Sequence, residues 1–416
     1  MRNTFAMFIG HGMRIVLQAF YFILIARGLG TDGYGAFVGV ASLACILAPF
    51  SSWGSGHILI KHVARNRDKF KVYWGNALFV TTIFSVLLTL FMVFSAKFLF
   101  AQSISLNVIL EIAIADLFFA RILDLCSQAF QGFERLNLTS TIQVLANLFR
   151  FLAILALTLS GLPLEVEMWT KFYLWGSILS TSISLFLVSF HLGLPSIDFR
   201  EMFRELKEGL YFSISVSAQN IYNDVDKTML AKLSTLNATG IYGAAYRIID
   251  VSFVPVRSLL AASYSKFFQH GHEKGLKGNL EFMKKILLIP IVYCIGIAIL
   301  MSLCAPLIQL VLGMDFKESS KALQLLCLIP LLKTLHHFAA DSLSGAGYQG
   351  LRSFVQISIA IFNVLINLWL IPKYSWTGAV ISSLISDGLL VITLWLILSF
   401  YVNKEKTPIY TEAKVS

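Results

Sequence analysis

Long runs of apolar residues, separated by short polar stretches, make up almost the whole chain. A helix needs about 20 mostly apolar residues to cross a bilayer core about 30 Å thick. The periodicity and length of the runs predict twelve membrane-spanning helices. These segments lie near residues 10–28, 35–59, 75–95, 104–130, 138–160, 169–192, 209–231, 240–264, 284–312, 321–345, 353–371 and 377–402.

The composition leads to the same fold class. Hydrophobic residues make up 57% of the chain and charged residues 13%, and the mean hydropathy is +0.74. Soluble domains average about 45–50% apolar and about 25% charged residues, so a soluble fold could not bury this much apolar surface. We therefore predict an all-α polytopic membrane protein. Its N-terminal stretch "MRNTFAMFIGHGMRIV" shows no cleavage pattern, and we expect the first span to be retained.

The basic residues indicate the orientation of the spans. Lysine and arginine concentrate in the segments on the same side as the two termini, for example in the stretch 60–72 between predicted spans two and three. Because positively charged loops stay on the cytoplasmic side, we expect both termini to be cytoplasmic. The net charge of +10 then reflects this bias, together with charges inside the spans, and does not indicate a nucleic-acid partner.

A weak internal repeat divides the chain. Tyr-Gly-Ala occurs in "GYGAF" (residues 33–37) and again in "IYGAA" (residues 241–245), half a chain length apart. Repeats of this kind predict two six-helix bundles, residues 1–192 and 209–416, which share one orientation because six is an even number. Residues 193–208 between them predict an amphipathic linker helix on the cytoplasmic face, with a solvated connector as the alternative.

Charged residues inside the predicted spans are the main candidates for function. A charge at mid-bilayer costs about 2.5–3.5 kcal/mol on insertion scales, so these side chains should face something other than lipid. The basic ones are Arg14, Arg121, Arg150, Lys227, Arg247, Arg257 and Lys333. The acidic ones are Asp116, Asp124, Asp224, Asp226, Asp250, Asp341 and Asp387.

Helical geometry gathers these charges onto polar faces. At 100° per residue, Arg121 and Asp124 share one side of their span, and Ser213, Asn220 and Lys227 form one stripe of predicted span seven. Two interpretations are open: buried ion pairs that hold helices together, or a shared polar cavity. We favour the cavity, because cations occur on six predicted helices.

The excess of arginine and lysine predicts an anionic cargo such as phosphate. All seven intramembrane cations are candidate cargo ligands, and Arg121, Arg150, Lys227 and Arg247 are the strongest. Candidate acids for pairing or ion coupling are Asp124, Asp224, Asp226, Asp250 and Asp341. We expect no metal, because the five cysteines form no C-x-x-C pair, and we expect no cofactor. An ATP-driven pump is disfavoured, because the chain contains no G-x-x-x-x-G-K-[ST] motif and no loop that could hold a nucleotide-binding domain.

The sequence does not favour an enzyme. Asp224-Val225-Asp226 has the D-x-D spelling of glycosyltransferases but falls within a predicted span. The outer loops are too short to hold the large domain expected of a membrane polymerase or ligase.

Two stretches resemble a known transporter family. "DVDKTMLAKLSTLNATGIYGAAYRI" (residues 224–248) is similar to the signature of Wzx-type polysaccharide flippases, in which an Asp-Lys pair, a Gly-x-Tyr and a basic helix eight follow one another. "LGTDGYGAF" (residues 29–37) resembles the first-loop pattern of that family. The likeness covers the whole chain in length, span number and short loops.

The resemblance implies the MATE-like fold of the MOP superfamily, with two bundles in a V around a central cavity. It also implies a cargo, an oligosaccharide such as an O-antigen repeat unit linked to undecaprenyl pyrophosphate, which crosses from the cytoplasmic to the periplasmic leaflet of a bacterial inner membrane. Membrane lipid and the polymerase and chain-length regulator of a surface-polysaccharide pathway would be its partners. The alternative is a multidrug or cation antiporter of the same fold, although such proteins favour acidic, aromatic-lined pockets.

Overall fold

A computed structural model gives the fold of residues 2–100 and 104–404, with side chains from residue 16 onward except those of Lys97 and Ser215. Within these ranges the chain is almost entirely helical and contains no strand. The helices are α1 Arg2–Ser52, α2 Ser55–Arg65, α3 Phe70–Phe94, α4 Ala96–Leu99, α5 Leu106–Ala113, α6 Ala120–Gly132, α7 Leu136–Leu159, α8 Val166–Leu192, α9 Phe199–Leu233, α10 Leu236–Ser252, α11 Val254–Cys304, α12 Ile308–Leu312, α13 Lys317–Leu326, α14 Ile329–Gly345 and α15 Gln349–Lys404. A π-helical turn, Ile114–Phe119, joins α5 to α6, and single 3₁₀ turns occur at Arg67–Lys69, Ala305–Leu307 and Met314–Phe316.

The architecture is that of an all-α polytopic membrane protein. In the described part of the chain, six helices are long and apolar enough to cross a membrane, or seven if the bent pair Met314–Leu326 and Ile329–Gly345 forms one span. Three of the long helices contain a residue with non-helical backbone: Gly30 in α1, Gly275 in α11 and Ser375 in α15. Each of these breaks falls between two of the segments predicted from sequence, so one helix there continues from one predicted span into the next.

Several predicted segments are interrupted within their length, including 284–312 at the turn Ala305–Leu307 and 321–345 between α13 and α14. The segment 35–59 leaves helical geometry at Trp53 and Gly54, which both have positive φ, and α2 begins at Ser55. The segment 240–264 is broken at Phe253, because Pro255 stands in the first turn of α11, where a proline's missing N–H removes no hydrogen bond.

The predicted linker helix differs in extent from the observed one. Residues 193–198 are not helical, and α9 starts at Phe199, where the Asp198 carboxylate accepts hydrogen bonds from the backbone N–H of Arg200 and Glu201. From there the helix continues without a break to Leu233. The linker and predicted span seven therefore form one helix of 35 residues, because nothing at their junction stops helical geometry.

The chain divides into two compact units. Unit 1 contains the described residues up to Gly243 together with Leu310–Phe316, and unit 2 contains Ala244–Gln309 and the described residues from Lys317 onward. The boundary by packing thus falls inside α10, after span seven. The two six-helix halves, which rest on the sequence repeat, stay a prediction.

Glycine allows close helix packing inside unit 1. A Cβ atom added at Gly35 in α1 would lie 1.9 Å from the carbonyl oxygen of Leu236, and one added at Gly240 in α10 would lie 2.0 Å from that of Thr31. Only glycine leaves room for backbones this close. These residues belong to the two stretches that carry the repeat and the family resemblance.

Candidate functional site

A polar pocket opens inside unit 1 among α1, α6, α7 and α8. It encloses about 290 Å³, and its charged and amide-bearing lining residues are Gln18, Arg121, Asp124, Gln143, Asn147 and Arg150. The hydroxyl-bearing residues Ser177, Ser180 and Thr181 of α8 complete its polar wall. We call it the unit 1 pocket. It brings together three of the predicted site residues, Arg121, Asp124 and Arg150.

Both arginines of the unit 1 pocket are paired with carboxylates. Arg121 Nη1 lies 2.8 Å from Asp124 Oδ2, one turn further along α6, and Arg150 Nη2 lies 3.5 Å from Asp116 Oδ1. The Tyr173 hydroxyl donates a hydrogen bond of 2.5 Å to the same Asp116 oxygen, and the Arg150 guanidinium stands 5.2 Å from the centre of the Tyr173 ring. The charges of the two pairs cancel, so the pocket as a whole is neutral.

Asp116 is a site residue that sequence reasoning missed. By sequence it is counted among the intramembrane acids but not among the predicted site residues. The π-helical turn Ile114–Phe119 contains it, and its two partners come from α7 and α8. Single π turns within helices are frequent at functional sites, but the sequence gives no clear sign of one.

Amide and hydroxyl groups supply further hydrogen-bonding capacity in the unit 1 pocket. Gln18 Nε2 donates to Asn147 Oδ1 at 3.0 Å, which joins α1 to α7. The hydroxyls of Ser177, Ser180 and Thr181 each donate to a backbone carbonyl. A hydroxyl whose proton is used in this way still offers acceptor lone pairs.

A second charged cluster lies in unit 1, at the end of α9. Lys227 Nζ contacts Asp224 Oδ1 at 2.5 Å, whereas the adjacent Asp226 accepts a hydrogen bond from the hydroxyl of Tyr242 in α10. Asp226 and Lys227 therefore point to different partners, as expected for neighbours in a helix. Both side chains are buried.

One polar stripe of predicted span seven packs against α1. Ser213, Ser217 and Asn220 donate hydrogen bonds of 2.8–2.9 Å to backbone carbonyl oxygens of Pro49, Ile46 and Cys45. These side chains therefore hold α9 against α1. This agrees with the alternative interpretation, in which polar side chains join helices, and not with the favoured one of a shared cavity.

The predicted residues of unit 2 have different surroundings. The Lys333 ammonium is buried and lies 4.9 Å from the centre of the Tyr246 ring. Asp341 Oδ1 lies 3.3 Å from Arg352 Nη1. The structure does not bring Arg247 and Asp250 together, although they are one turn apart, since no ion pair joins them in the described residues. Arg257 is exposed, with its guanidinium 5.8 Å from the centre of the Phe253 ring.

Unit 2 also contains a buried ion-pair candidate that the sequence analysis did not propose. His336 Nε2 lies 3.2 Å from Asp387 Oδ1, and both side chains are almost fully buried. The partners come from α14 and α15, so spacing along the chain could not reveal them. Arg14, by contrast, lies in α1 where only the backbone is described, and its predicted role falls outside the described side chains.

Comparison with known proteins relates this arrangement to a family. A family model described as "Polysaccharide biosynthesis protein" matches residues 1–264. An uncharacterized membrane protein of Methanocaldococcus jannaschii, MJ1068, is 24% identical over 215 residues, which cover 49% of this chain and 40% of that protein. The match therefore spans less than half the length of that relative.

Solved structures share the fold. An inward-facing multidrug resistance MATE transporter of the MOP superfamily has a TM-score of 0.74 at 16% identity, over 94% of this chain and 96% of that one. The lipid II flippase MurJ, in an inward closed conformation, has a TM-score of 0.71 at 13% identity, over 97% and 93%. A MOP transporter from Pyrococcus furiosus, described as having a binding pocket of reverse polarity, has a TM-score of 0.61 at 16% identity, over 97% and 96%.

Proposed function

The chain belongs to the polysaccharide biosynthesis protein family, and from this membership we propose that it is a flippase for lipid-linked oligosaccharide. Its cargo is an oligosaccharide on undecaprenyl pyrophosphate, such as an O-antigen repeat unit, which it moves from the cytoplasmic to the periplasmic leaflet by alternating access. It acts in a bacterial inner membrane with both termini in the cytoplasm, beside the polymerase and chain-length regulator of the same pathway. The protein transports this cargo and catalyses no chemical step on it.

The observation that carries the proposal is the set of charged side chains on membrane-spanning helices. Arg121 and Arg150 line a polar pocket, and Arg247 in unit 2 has no carboxylate within 4 Å among the described residues. Charges of this kind are costly in a membrane unless they face a cavity, a partner or a substrate pathway. An oligosaccharide with a pyrophosphate needs both hydrogen-bonding groups and cations along its path.

Replacement of Arg247 tests the proposal. We expect Arg247→Ala to abolish surface-polysaccharide display in a strain that depends on this protein, because a cation without a carboxylate partner is available to the pyrophosphate. Membrane insertion, measured by fractionation and immunoblot, should stay at the level of the unsubstituted protein. If Arg247→Ala leaves display intact, Arg247 does not bind the phosphate.

The second candidate is a multidrug or cation antiporter, which the likeness to the MATE transporter keeps open. Asp124 supports it, because this carboxylate lines the unit 1 pocket with about half of its side chain exposed and could contact an organic cation. A drug-susceptibility assay in an efflux-deficient host separates the two functions. Increased resistance together with unchanged polysaccharide display would favour the antiporter.

A further inference from the structure

The charge balance of the unit 1 pocket does not suit a pyrophosphate. Its two arginines already contact Asp124 and Asp116, at 2.8 and 3.5 Å. A diphosphate that entered would bring about two negative charges next to two carboxylates, and it could gain the arginines only by separating them from their partners. Separating either pair leaves a charge without its partner, which is most unfavourable for Asp116, whose side chain is only 16% exposed.

The hydrogen-bonding groups of the pocket match a sugar better. Phosphate oxygens only accept hydrogen bonds, whereas each sugar hydroxyl both donates and accepts. The pocket offers acceptors in Asp124 and in the hydroxyl oxygens of Ser180 and Thr181, whose protons are used elsewhere. It offers donors in the guanidinium groups of Arg121 and Arg150, which have five N–H groups each. A neutral ligand with several hydroxyls could use both kinds without separating either ion pair.

Unit 2 provides a contrast. Arg247 and Arg257 have no carboxylate within 4 Å among the residues that the structure describes, and Arg257 is exposed. Cations of this kind can bind a phosphate group with a charge-assisted hydrogen bond and lose no ion pair. The chemistry of these two residues suits a phosphate group, whereas that of the unit 1 pocket does not.

We propose that the unit 1 pocket binds a sugar of the cargo, and that its paired charges select a neutral sugar over an acidic one. This inference rests on the proposed function and assigns the sugar-recognition site within it. The carboxylate of a uronic acid would stand against Asp124 and Asp116, while a neutral hexose or N-acetylhexosamine would meet donors and acceptors only. The charge pairing is thus the specificity determinant, and Asp124 is the residue through which it can be changed.

A binding experiment with three matched lipids tests the sugar site. The full-length protein in detergent would be titrated with a short-chain polyprenyl pyrophosphate that is bare, that carries N-acetylglucosamine, or that carries glucuronic acid. We expect the neutral conjugate to bind about tenfold more tightly than the bare lipid, and the acidic conjugate to show no such gain; tenfold corresponds to about 1.4 kcal/mol.

Two substitutions make the unit 1 pocket positive by different routes. Asp124→Asn frees Arg121 from its partner, and Gln143→Lys adds a cation on α7. Each should move the preference toward the glucuronic acid conjugate by about tenfold, and Gln143→Lys keeps the test valid if Asp124→Asn fails to fold. Asp32→Asn, on an exposed position of α1, is the matched control and should leave the preference unchanged.

The outcomes separate the two proposals. If all three lipids bind equally and neither pocket variant changes the order, the sugar site is wrong while the flippase proposal stands. If both variants strengthen binding of the bare lipid as much as that of the conjugates, the pocket binds pyrophosphate and the inference is overturned. If no polyprenyl pyrophosphate binds and an organic cation such as tetraphenylphosphonium does, the proposed function itself fails.

Discussion

Some charged side chains in this protein are paired within one helix, and others are paired across separate elements. Helix spacing predicted that Arg121 and Asp124 would lie together, and they do, because both belong to α6. Spacing could not predict the contact of Asp116 with Arg150 and Tyr173, since three separate elements bring these side chains together. The same spacing places Asp224 and Lys227 on one stripe of their helix, and the structure pairs these two side chains.

The hydroxyl of Tyr173 stabilises the Asp116 carboxylate. We expect Tyr173→Phe to lower the free energy of unfolding by about 1–3 kcal/mol, because a sheltered carboxylate loses a hydrogen-bond donor. The measurement is the thermal unfolding midpoint in detergent. Tyr211→Phe, at a position 63% exposed, is the matched control and should not change the midpoint. Equal midpoints for both variants would mean that the Tyr173 hydroxyl contributes nothing to stability.

The contacts that hold whole helices in place cannot be predicted from the hydrophobic pattern of the sequence. The sequence predicted where apolar segments lie but not that α9 joins the linker to span seven. The start of α9 is fixed to its neighbours by three side chains on one face: Glu201 accepts from the Tyr73 hydroxyl at 3.3 Å, Glu205 lies 3.2 Å from His62, and Glu208 lies 2.5 Å from Lys61. We call these three contacts the α9 anchor.

The α9 anchor should weaken in mild acid through His62. Burial lowers the pKa of this histidine below 6.5 and outweighs the attraction of Glu205. A pKa lower in the folded state means that stability is complete above 6.5 and declines as the pH falls below it, because the unfolded state binds the proton more readily. The Lys61 hydrogen bond lowers the pKa of Glu208 below 4.5, so the contribution of Glu208 is lost only at more acidic pH.

Hydrogen–deuterium exchange measures this effect. Between pH 7.5 and 5.5, exchange in residues 199–208 should slow by less than the intrinsic rate does, and His62→Gln should remove that excess exchange. His272→Gln, at an exposed position in unit 2, should keep it. An excess that persists in the His62 variant would assign the pH dependence to another group.

The packing of α1 against α10 depends on glycine. We expect Gly240→Ala to destabilise the protein or prevent its folding, because the new methyl group would lie 2.0 Å from the carbonyl oxygen of Thr31. The control is Gly388→Ala, where no atom lies within 4 Å and alanine favours the helix by up to about 1 kcal/mol. Yield of folded protein by size-exclusion chromatography compares the two. A Gly240 variant with the same yield and unfolding midpoint as the Gly388 variant would contradict the contact.

At the scale of the whole molecule, composition and the count of apolar segments were enough to predict the class of fold. They were not enough for its internal divisions. Helices α1, α11 and α15 each continue across one non-helical residue, at Gly30, Gly275 and Ser375. Packing places α9 in unit 1, although the repeat assigns predicted span seven to the second half. Packing depends on the side chains that meet, whereas the repeat records resemblance along the chain, and the two need not coincide.

The proposed transport should respond to the membrane potential. The cargo's pyrophosphate carries about two negative charges, and moving them out of a cell with a negative interior gains about 4–5 kcal/mol per 100 mV, at about 2.3 kcal/mol for each charge. Dissipating an inside-negative potential at constant pH should therefore slow the appearance of labelled lipid-linked sugar in the outer leaflet of proteoliposomes. Full transport driven by a pH gradient alone, with no effect of the potential, would instead indicate proton antiport.

The continuity of α9 has a mechanical consequence. At 1.5 Å per residue, its 35 residues form a rod about 50 Å long, and no proline or non-helical residue interrupts it. Its first turns are held by the α9 anchor, and near its far end Asp226 is tied to Tyr242 of α10. A displacement of the first turns of α9 is therefore transmitted along a stiff helix directly to Asp226 and Lys227.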